Sequence, residues 1–472
     1  MKKTFTAKML RPLSLGLGMI LFFIPAGCIS ADGETVGATS EQTAPRSIFP
    51  ADTATYADLG VWRTSSPDPL MLGLYEGETD GLRLKNADAY VSEVAKVINE
   101  NAGNDFQKVK MINDIVAMTL DYDRDAFFSR KIPRQKYSDV LAEGRAVSDG
   151  FSAVFSKLCD ETGIKCRSVR GYARGANTSL EKESSLTLSS NHTWNIVTIG
   201  DRDYLVDVTW NGGYMSGDST VKEYGTEWLF ACPESFIYTH FPESASDQLL
   251  EKPVSRSEFL NLPDLRPAFF DEVGRWEETL GRVVSCEGSL SYDFTRLNKD
   301  MGFSCSVAAV ADSSRGVENA CHIAQGISAD ARLCLSFPEQ GLYKVSLFAN
   351  RPEKTAYLGS FLVSSTCAGT ERFPQVFSNY GLEKDGVVDV PVFSPLKKGS
   401  DVSFTVRTKR SFVAVLIDDS AKDKLEWNYL ENKGKGVFEG SVRIPETATR
   451  LRVSVKEKGG RNFWSIAEYG LE

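Results

Sequence analysis

The hydrophobic pattern of this chain changes at Gly163, and that change limits the folds it can adopt. Before it, apolar residues recur at helical spacing, most clearly where Phe151, Val154, Phe155 and Leu158 follow i, i+3, i+4 and i+7. Glycine at this point suits the left-handed cap that ends such a helix. After it the chain has short strand-like runs. Helices followed by a sheet indicate an α+β domain, which we place at residues 81–265.

The remainder of the chain shows the strand pattern alone. Short alternating stretches punctuated by Gly, Pro and Asn continue to Glu472 without helical spacing. This texture is typical of β-sandwich domains, which need about 100 residues each. We therefore predict two all-β sandwich-like domains, at 266–367 and 368–472.

The N-terminus has the pattern of an export signal. A basic start precedes an apolar run that ends in Ala26-Gly27-Cys28 and is too short to remain as a membrane span. It resembles a bacterial lipoprotein signal, which implies removal of residues 1–27, a lipid on Cys28 and anchoring to a bacterial membrane on its periplasmic or cell-surface side. The alternative is an ordinary secretory signal, with Cys28 as a plain thiol. Residues 28–80, rich in small and polar residues, are predicted to form a flexible tether.

Charge and residue counts exclude several classes of function. A net charge of −9 repels phosphate backbones, so we predict no nucleic-acid partner. The cysteines after Cys28 include no Cys-x-x-Cys pair; in an exported chain they permit disulfides without specifying the pairing. The sequence also lacks an Asp/Asn-rich calcium loop. We therefore predict no metal and no cofactor.

Two candidate site residues flank a short turn, Gly200-Asp201. If these two residues form the loop of a β-hairpin, His192 faces Thr209 across the ladder and Asp207 lies diagonally on the same face. Diagonal neighbours are about 7–8 Å apart between backbones, a distance at which a carboxylate can orient an imidazole. A three-residue loop would place them on opposite faces. A structural hydrogen-bonded pair is the alternative interpretation.

Ser148 stands at the predicted start of the helix that contains Phe151. A nucleophile there would gain from the positive end of the helix and from backbone N–H groups that can hold an oxyanion, and His192 could take its proton. The alternative is that Ser148 only caps the helix. His240, among aromatic residues, is expected to be a packed structural histidine, and His322 has no partner motif.

Transglutaminase-like cores, which have the papain-related α+β fold, show the same order of residues. In them a nucleophile at a helix start is followed by a histidine on a strand and an aspartate on the next strand. The sequence resembles that family closely. The segments that carry the resemblance are 146–159 (AVSDGFSAVFSKLC), 163–172 (GIKCRSVRGY), 191–195 (NHTWN) and 205–210 (LVDVTW). A finer resemblance, to the kyphoscoliosis-peptidase branch, rests on 233–242 (PESFIYTHFP) and on tail motifs at 373–377 and 394–399. The resemblance implies that Ser148, His192 and Asp207 occupy the catalytic positions.

The chain departs from this family at the nucleophile, because Ser148 stands where the family has a cysteine. A thiol beside a histidine and a helix N-terminus can ionise, whereas a serine hydroxyl is a far weaker acid. Cys159 lies eleven residues further along the same helix, beside its buried stripe, and is expected to belong to the core.

These observations predict an exported, lipid-anchored transglutaminase-like protein that has lost catalysis and binds a protein or peptide ligand. The first alternative is an active acyl-transfer enzyme or peptidase that uses Ser148, His192 and Asp207 as a triad. The second alternative is an adhesin that acts through its β domains. The ligand and the oligomeric state stay open.

Overall fold

The computed structural model describes residues 58–472 except 78, 176–177, 184–187, 217–218, 277–279, 299–300, 326–328, 351–354, 378–385 and 423. The export signal, Cys28 and the tether up to residue 57 lie outside the described residues. Among the described helices, none combines the length and the apolar character that crossing a membrane requires.

Helices dominate the first part of the described chain. The α-helices are α1 (Pro69–Glu76), α2 (Thr79–Lys85), α3 (Ala87–Asn101), α4 (Asp105–Thr119), α5 (Arg124–Ser129), α6 (Tyr137–Glu143), α7 (Ser148–Glu161), α8 (Val208–Asn211), α9 (Pro233–Phe236), α10 (Arg256–Asn261) and α11 (Pro267–Glu272). Short 3-10 helices cover Asp58–Trp62, Leu180–Lys182 and Ala245–Gln248.

Capping and burial explain where the predicted helices begin and end. Asn86 caps α3 by accepting a hydrogen bond from the Ala89 amide, and Asn104 caps α4 in the same way. Helix α7 ends just before Gly163, whose φ of 77° is the left-handed conformation that the sequence predicted there. The apolar faces of α3, α4 and α7 pack into one core. Cys159 is fully buried in that core, as expected.

The strands of the first domain are β1 (Asp121–Tyr122), β2 (Arg145–Ala146), β3 (Lys165–Ala173), β4 (His192–Ile199), β5 (Arg202–Val206), β6 (Gly213–Ser216), β7 (Ser219–Lys222), β8 (Leu229–Ala231) and β9 (His240–Pro242). Five of them form an antiparallel sheet in the order β8-β5-β4-β3-β9.

Helix α7 lies against β3 and β4 of this sheet. The hydroxyls of Ser152 and Ser168 are 2.7 Å apart, and the Asn195 side-chain amide donates to Ser156 Oγ over 2.9 Å. These polar contacts hold the middle of α7 against β3 and against β4, the strand that carries His192.

The strands of the next region are β10 (Asp264–Leu265), β11 (Val273–Trp276), β12 (Val283–Cys286), β13 (Ser289–Arg296), β14 (Gly302–Ala309), β15 (Asp312–Gly316), β16 (Cys321–Gln325), β17 (Asp330–Ser336), β18 (Gly341–Asn350) and β19 (Thr355–Ser365). They form one sheet in the order β10-β19-β18-β14-β15, with β12 also on β19, and a second in the order β11-β13-β17-β16. Apolar residues of both sheets share one core.

The last region forms a second sandwich. Its strands are β20 (Gln375–Val376), β21 (Val387–Val390), β22 (Asp401–Arg407), β23 (Phe412–Asp419), β24 (Lys424–Tyr429), β25 (Glu431–Gly434), β26 (Val437–Arg443), β27 (Ala448–Lys456) and β28 (Trp464–Tyr469). One sheet runs β20-β28-β27-β23-β24 and the other β21-β22-β26-β25, around a core of their own. The predicted fold class, an α+β core followed by two β-sandwich domains, is confirmed.

Two features differ from the predicted domain plan. The flexible tether does not extend through residues 58–76, because Leu59 and Met71 are buried in the first core and the Asp68 amide donates to Asp114 over 2.7 Å. The first sandwich also begins before 266, since β10 pairs with β19. Its core includes Tyr172 and Tyr238 of the preceding domain, so the two share buried surface.

Candidate active site

The carboxylate of Asp207 is the centre of the candidate site. Asp207 follows the last residue of β5 and caps α8: its Oδ1 accepts hydrogen bonds from the amides of Thr209 at 2.9 Å and Trp210 at 3.1 Å. Its Oδ2 lies 2.7 Å from His192 Nε2 and 3.1 Å from His240 Nε2. Four donors therefore saturate this fully buried carboxylate.

These contacts keep Asp207 ionised. Burial by itself raises the pKa of Asp207, but the charge of His192 and the hydrogen bonds from His192 and His240 outweigh it and hold the pKa well below its ordinary value. Because the carboxylate only accepts hydrogen bonds, His192 donates from Nε2. Its Nδ1 is then the nitrogen left to act as a base.

The predicted hairpin register holds as far as Val206. Gly200 has a φ of 63°, as the two-residue turn requires, and Asn195 pairs with Val206. Beyond that pair the prediction is wrong: His192 does not face Thr209, because the chain leaves the sheet at Asp207 to begin α8. The Asp207 amide donates to Trp228 O over 3.0 Å instead. His192 and Asp207 are therefore brought together by a strand and a helix cap.

His240 is packed, as the sequence predicted, but it also belongs to the site through its contact with Asp207, which the sequence did not predict. It has no exposed surface and lies among four aromatic side chains. These neighbours are Trp194, Trp210, Trp228 and Phe236. Burial lowers the pKa of His240 to about 4, despite the opposing hydrogen bond to Asp207, so the ring is neutral at pH 7. In the tautomer that donates to Asp207, Nδ1 accepts from the Thr239 hydroxyl at 2.8 Å.

Ser148 is the first residue of α7 and not its cap. Val147 occupies the cap position, and no side chain caps this helix start, so the interpretation of Ser148 as a capping serine is wrong. The hydroxyl of Thr193 donates to Asp149 over 2.6 Å, and the Val147 amide donates to Gln135 Oε1 over 3.1 Å. Ser148 thus lies between two anchored residues, in the turn of the helix next to the His192 strand.

The structure brings His192 and Asp207 into contact, but Ser148 is not hydrogen-bonded to His192 in the part of the chain that the structure describes. Both residues are buried, at 6% and 9% exposure. The same helix start is tightly packed, since a Cβ at Gly150 would lie 2.5 Å from both Ala146 Cβ and Gln135 Oε1.

Tyr122 is a second residue near the site that the sequence did not single out. It lies on β1 opposite Ala146, and its ring contacts Phe151 of α7. Burial raises the pKa of Tyr122, and the negative charges of Asp207, Asp123 and Asp149 raise it further. The phenol therefore stays protonated beside the carboxylates. The one sequence signal for Tyr122 is its position directly before Asp123, the residue that caps α5.

His192, Asp207 and His240 could in principle hold a metal, since their donor atoms lie within 4.8 Å of one another. Two donors on one zinc ion sit about 3.3 Å apart, given bonds of about 2.0 Å in a tetrahedron. The contacts here are 2.7 and 3.1 Å, which are hydrogen-bond lengths. A bound ion would have to break both, so we assign the group to hydrogen bonding.

Comparison with known proteins agrees with the motifs. Residues 92–210 match the transglutaminase-like superfamily. Kyphoscoliosis peptidase of Mus musculus is 26% identical over 208 residues, which cover 43% of this chain and 31% of the relative. The Homo sapiens protein is 27% identical over 206 residues, covering 42% and 31%. A solved structure described as a TGase is 18% identical with a TM-score of 0.20, covering 36% of this chain and 39% of that one.

The predicted superfamily and branch are therefore confirmed for this part of the chain. The match includes all three predicted catalytic positions, Ser148, His192 and Asp207. The aligned region spans less than a third of the length of each peptidase.

Proposed function

Residues 92–210 form a transglutaminase-like domain related to the kyphoscoliosis peptidases, and we propose that here it binds a protein or peptide without catalysing acyl transfer or hydrolysis. The observation that carries the proposal is the state of Ser148. It occupies the nucleophile position as a buried hydroxyl that is not hydrogen-bonded to His192.

The chemistry of the site supports loss of catalysis. A helix N-terminus and a neighbouring histidine lower the pKa of a thiol enough to form a thiolate. They do not ionise a serine, whose proton must move to a base hydrogen-bonded to it during attack. Ser148 lacks that hydrogen bond in the described structure, so the remaining His192 and Asp207 have no nucleophile to activate.

The class of ligand is inferred from the relatives. They are named peptidases, so their site accepts a polypeptide. A domain that keeps the fold and the histidine and aspartate of the site, but lacks the nucleophile, can bind a polypeptide without cleaving it.

We also propose that the chain is exported and anchored through a lipid on Cys28. The support is the basic start, the apolar run and Ala26-Gly27-Cys28. Incorporation of labelled palmitate into the native chain and its loss in Cys28→Ser would support the anchor. An unmodified Cys28, or a mature terminus elsewhere, would contradict it.

A fluorophosphonate probe tests the absence of catalysis. We expect no labelling of the native chain above the level of Ser148→Ala, with an active serine hydrolase labelled in parallel as the positive control. Labelling of native Ser148 that disappears in His192→Ala would overturn the proposal.

A binding experiment tests the second part of the proposal, that the domain binds a protein or peptide. Peptides of a random library should be retained by the immobilised native chain and lost in Ser148→Phe, which puts a large side chain at the nucleophile position. Ser420→Phe, at an exposed turn of the second sandwich, is the matched control and should retain them. Equal retention by both variants, each shown to be folded, would place binding elsewhere.

One observation favours a second candidate function. The 2.7 Å contact between His192 Nε2 and Asp207 Oδ2 orients the imidazole as a Ser-His-Asp triad needs. If Ser148 moves into hydrogen-bond reach when substrate binds, the domain would be an acyl-transfer enzyme or peptidase. The His192-dependent labelling described above is the result that would establish it.

A further inference from the structure

Four aromatic side chains lie together on the surface of the second sandwich. They are Phe412, Trp427, Tyr429 and Phe463, which we call the aromatic platform. Phe412, Trp427 and Tyr429 are 41%, 43% and 60% exposed. The Phe463 ring centroid is 4.8 Å from that of Trp427 and 6.1 Å from that of Tyr429. A contiguous exposed apolar patch rimmed by polar residues is typical of an interaction site.

Strand register explains why the platform faces away from the core. On β24, Trp427 pairs with Leu416 of β23 and Tyr429 pairs with Ala414. The alternate residues of β23, such as Val413 and Val415, point into the buried core. The platform therefore lies on the outer face, and β24 is the edge strand of its sheet. The Trp427 and Tyr429 rings are within 22° of parallel, with centroids 6.4 Å apart.

A single ammonium group lies among these rings. Lys456 Nζ is 5.3 Å from the centroid of Phe412 and 4.9 Å from that of Phe463. No carboxylate pairs with Lys456 among the residues that the structure describes. Two acids beside the platform already have partners: Glu457, which follows Lys456, pairs with Arg410 at 3.3 Å, and Glu426, which precedes Trp427, contacts Lys422.

The surroundings add positive charge to this end of the sheet. Lys409, Lys458 and Arg461 are exposed in the turns next to Phe412 and Phe463. The Lys458 amide donates to Ser411 Oγ over 3.0 Å, which holds the two turns together. In a chain of net charge −9, this is a locally basic surface. Its charge complements an anion.

We propose that the aromatic platform binds an acidic polysaccharide. The apolar faces of its sugar rings would stack on Trp427 and Tyr429, and a uronate carboxylate would pair with Lys456. Flat ring faces favour a sugar ring over an extended peptide, and the unpaired ammonium favours a charged sugar over a neutral one. This site is independent of the transglutaminase-like domain and gives the β domains a binding role of their own.

Polygalacturonate and its fully methyl-esterified form test the proposal, because they share the sugar ring and differ in charge. We expect the full chain to bind polygalacturonate more tightly by calorimetry, with binding weakened by salt. Trp427→Ala should weaken it about tenfold, and Trp427→Phe should restore much of the loss. Lys456→Gln should remove a charge preference of about fivefold. Lys397→Gln, at an exposed lysine away from the platform, is the control and should change nothing.

Three outcomes would overturn the proposal: no binding of either polymer, equal binding by Trp427→Ala, or equally tight binding of poly-glutamate, which would show recognition of charge alone. Unchanged thermal unfolding of each variant excludes misfolding as the cause of a loss.

Discussion

Nε2 of His240 lies 3.1 Å from Oδ2 of Asp207, and neither side chain is exposed. This contact joins β9 to the end of β5, so Asp207 is held from two directions. A carboxylate fixed in this way cannot turn away from His192. His240 is therefore a positioning residue that acts through Asp207.

We expect acid to destabilise the first domain through His240. The folded-state pKa of about 4 lies below the ordinary value of 6.5, so the unfolded chain binds more protons between these values. The stability that the neutral His240 ring contributes is therefore fully present above about pH 6.5 and is lost as the pH falls towards 4. The loss from pH 8 to pH 5 is about 2 kcal/mol for this group. Urea unfolding followed by tryptophan fluorescence measures it, since three tryptophans surround His240.

His240→Gln should remove this part of the pH dependence. His322→Gln is the matched control, because burial also lowers the pKa of His322 to about 4, but in the first sandwich. Each variant should flatten the pH dependence of its own domain. A His240→Gln profile identical to that of the native chain would contradict the assignment.

The sequence was sufficient for those parts of the site that depend on local geometry. The Gly200-Asp201 turn determines the register between β4 and β5, and the turn residues alone predict it. Helical spacing likewise predicts α7 and places Ser148 at its start. Such features depend on contacts between residues close together in the chain.

Contacts between distant segments could not be predicted. His240 meets Asp207 across 33 residues, and no spacing rule links β9 to the end of β5. Residues 58–62 have no sustained helical period, yet Leu59 is buried against α-helices that follow much later. In both cases tertiary packing, and not local propensity, decides the structure.

Breaking the buried ion pair between Arg174 and Glu183 should destabilise the protein strongly. The two side chains are 2% and 1% exposed, with Nη2 2.9 Å from Oε2. Arg174 Nη1 also donates to Tyr238 O at 2.8 Å and to Pro263 O at 2.7 Å, which ties the first domain to the start of the first sandwich. Glu183→Gln leaves a buried charge uncompensated, at a cost of roughly 3–5 kcal/mol in the free energy of unfolding.

The exposed pair of Arg443 and Asp401, each 64% exposed, is the control for that measurement. Asp401→Asn should cost at most about 1 kcal/mol. The double variant Arg174→Met with Glu183→Leu should recover only part of the loss, because no charge then remains buried but the Tyr238 and Pro263 carbonyls lose their donor. Equal effects of Glu183→Gln and Asp401→Asn would show that the buried pair contributes little.

Gly171→Ala should destabilise the sheet beside the site. An added Cβ would lie 2.4 Å from Phe241 O and 2.5 Å from Trp194 Cη2, so strands β3 and β9 must separate. Overpacking of this kind costs typically about 1–3 kcal/mol. Gly81→Ala in α2 is the matched control, because nothing lies within 4 Å of its Cβ position. It should stabilise the helix by roughly 0.5–1 kcal/mol. A thermal unfolding midpoint that moves in the same direction for both would refute the argument.

Ser148→Cys should restore a reactive thiol if only the nucleophile has been lost. The first turn of α7 favours an anion at residue 148, and Asp207 still orients His192. The new thiol should then have a lowered pKa and react with iodoacetamide at neutral pH about tenfold faster than an ordinary cysteine. Peptide mass spectrometry after timed alkylation gives the rate at each position.

Two native cysteines provide the internal references for that rate. Cys367 is exposed and reports an accessible thiol, whereas Cys159 is buried, with its pKa raised by burial, and should not react. Adding His192→Ala to Ser148→Cys should bring the rate at residue 148 below that of the exposed Cys367, since the imidazolium that stabilises the thiolate is gone and the side chain is buried. A slowly reacting thiol at residue 148 with His192 present would show that the site lacks more than a cysteine nucleophile. The burial and packing around Ser148 would then be what prevents catalysis, and the substitution of the nucleophile would be secondary.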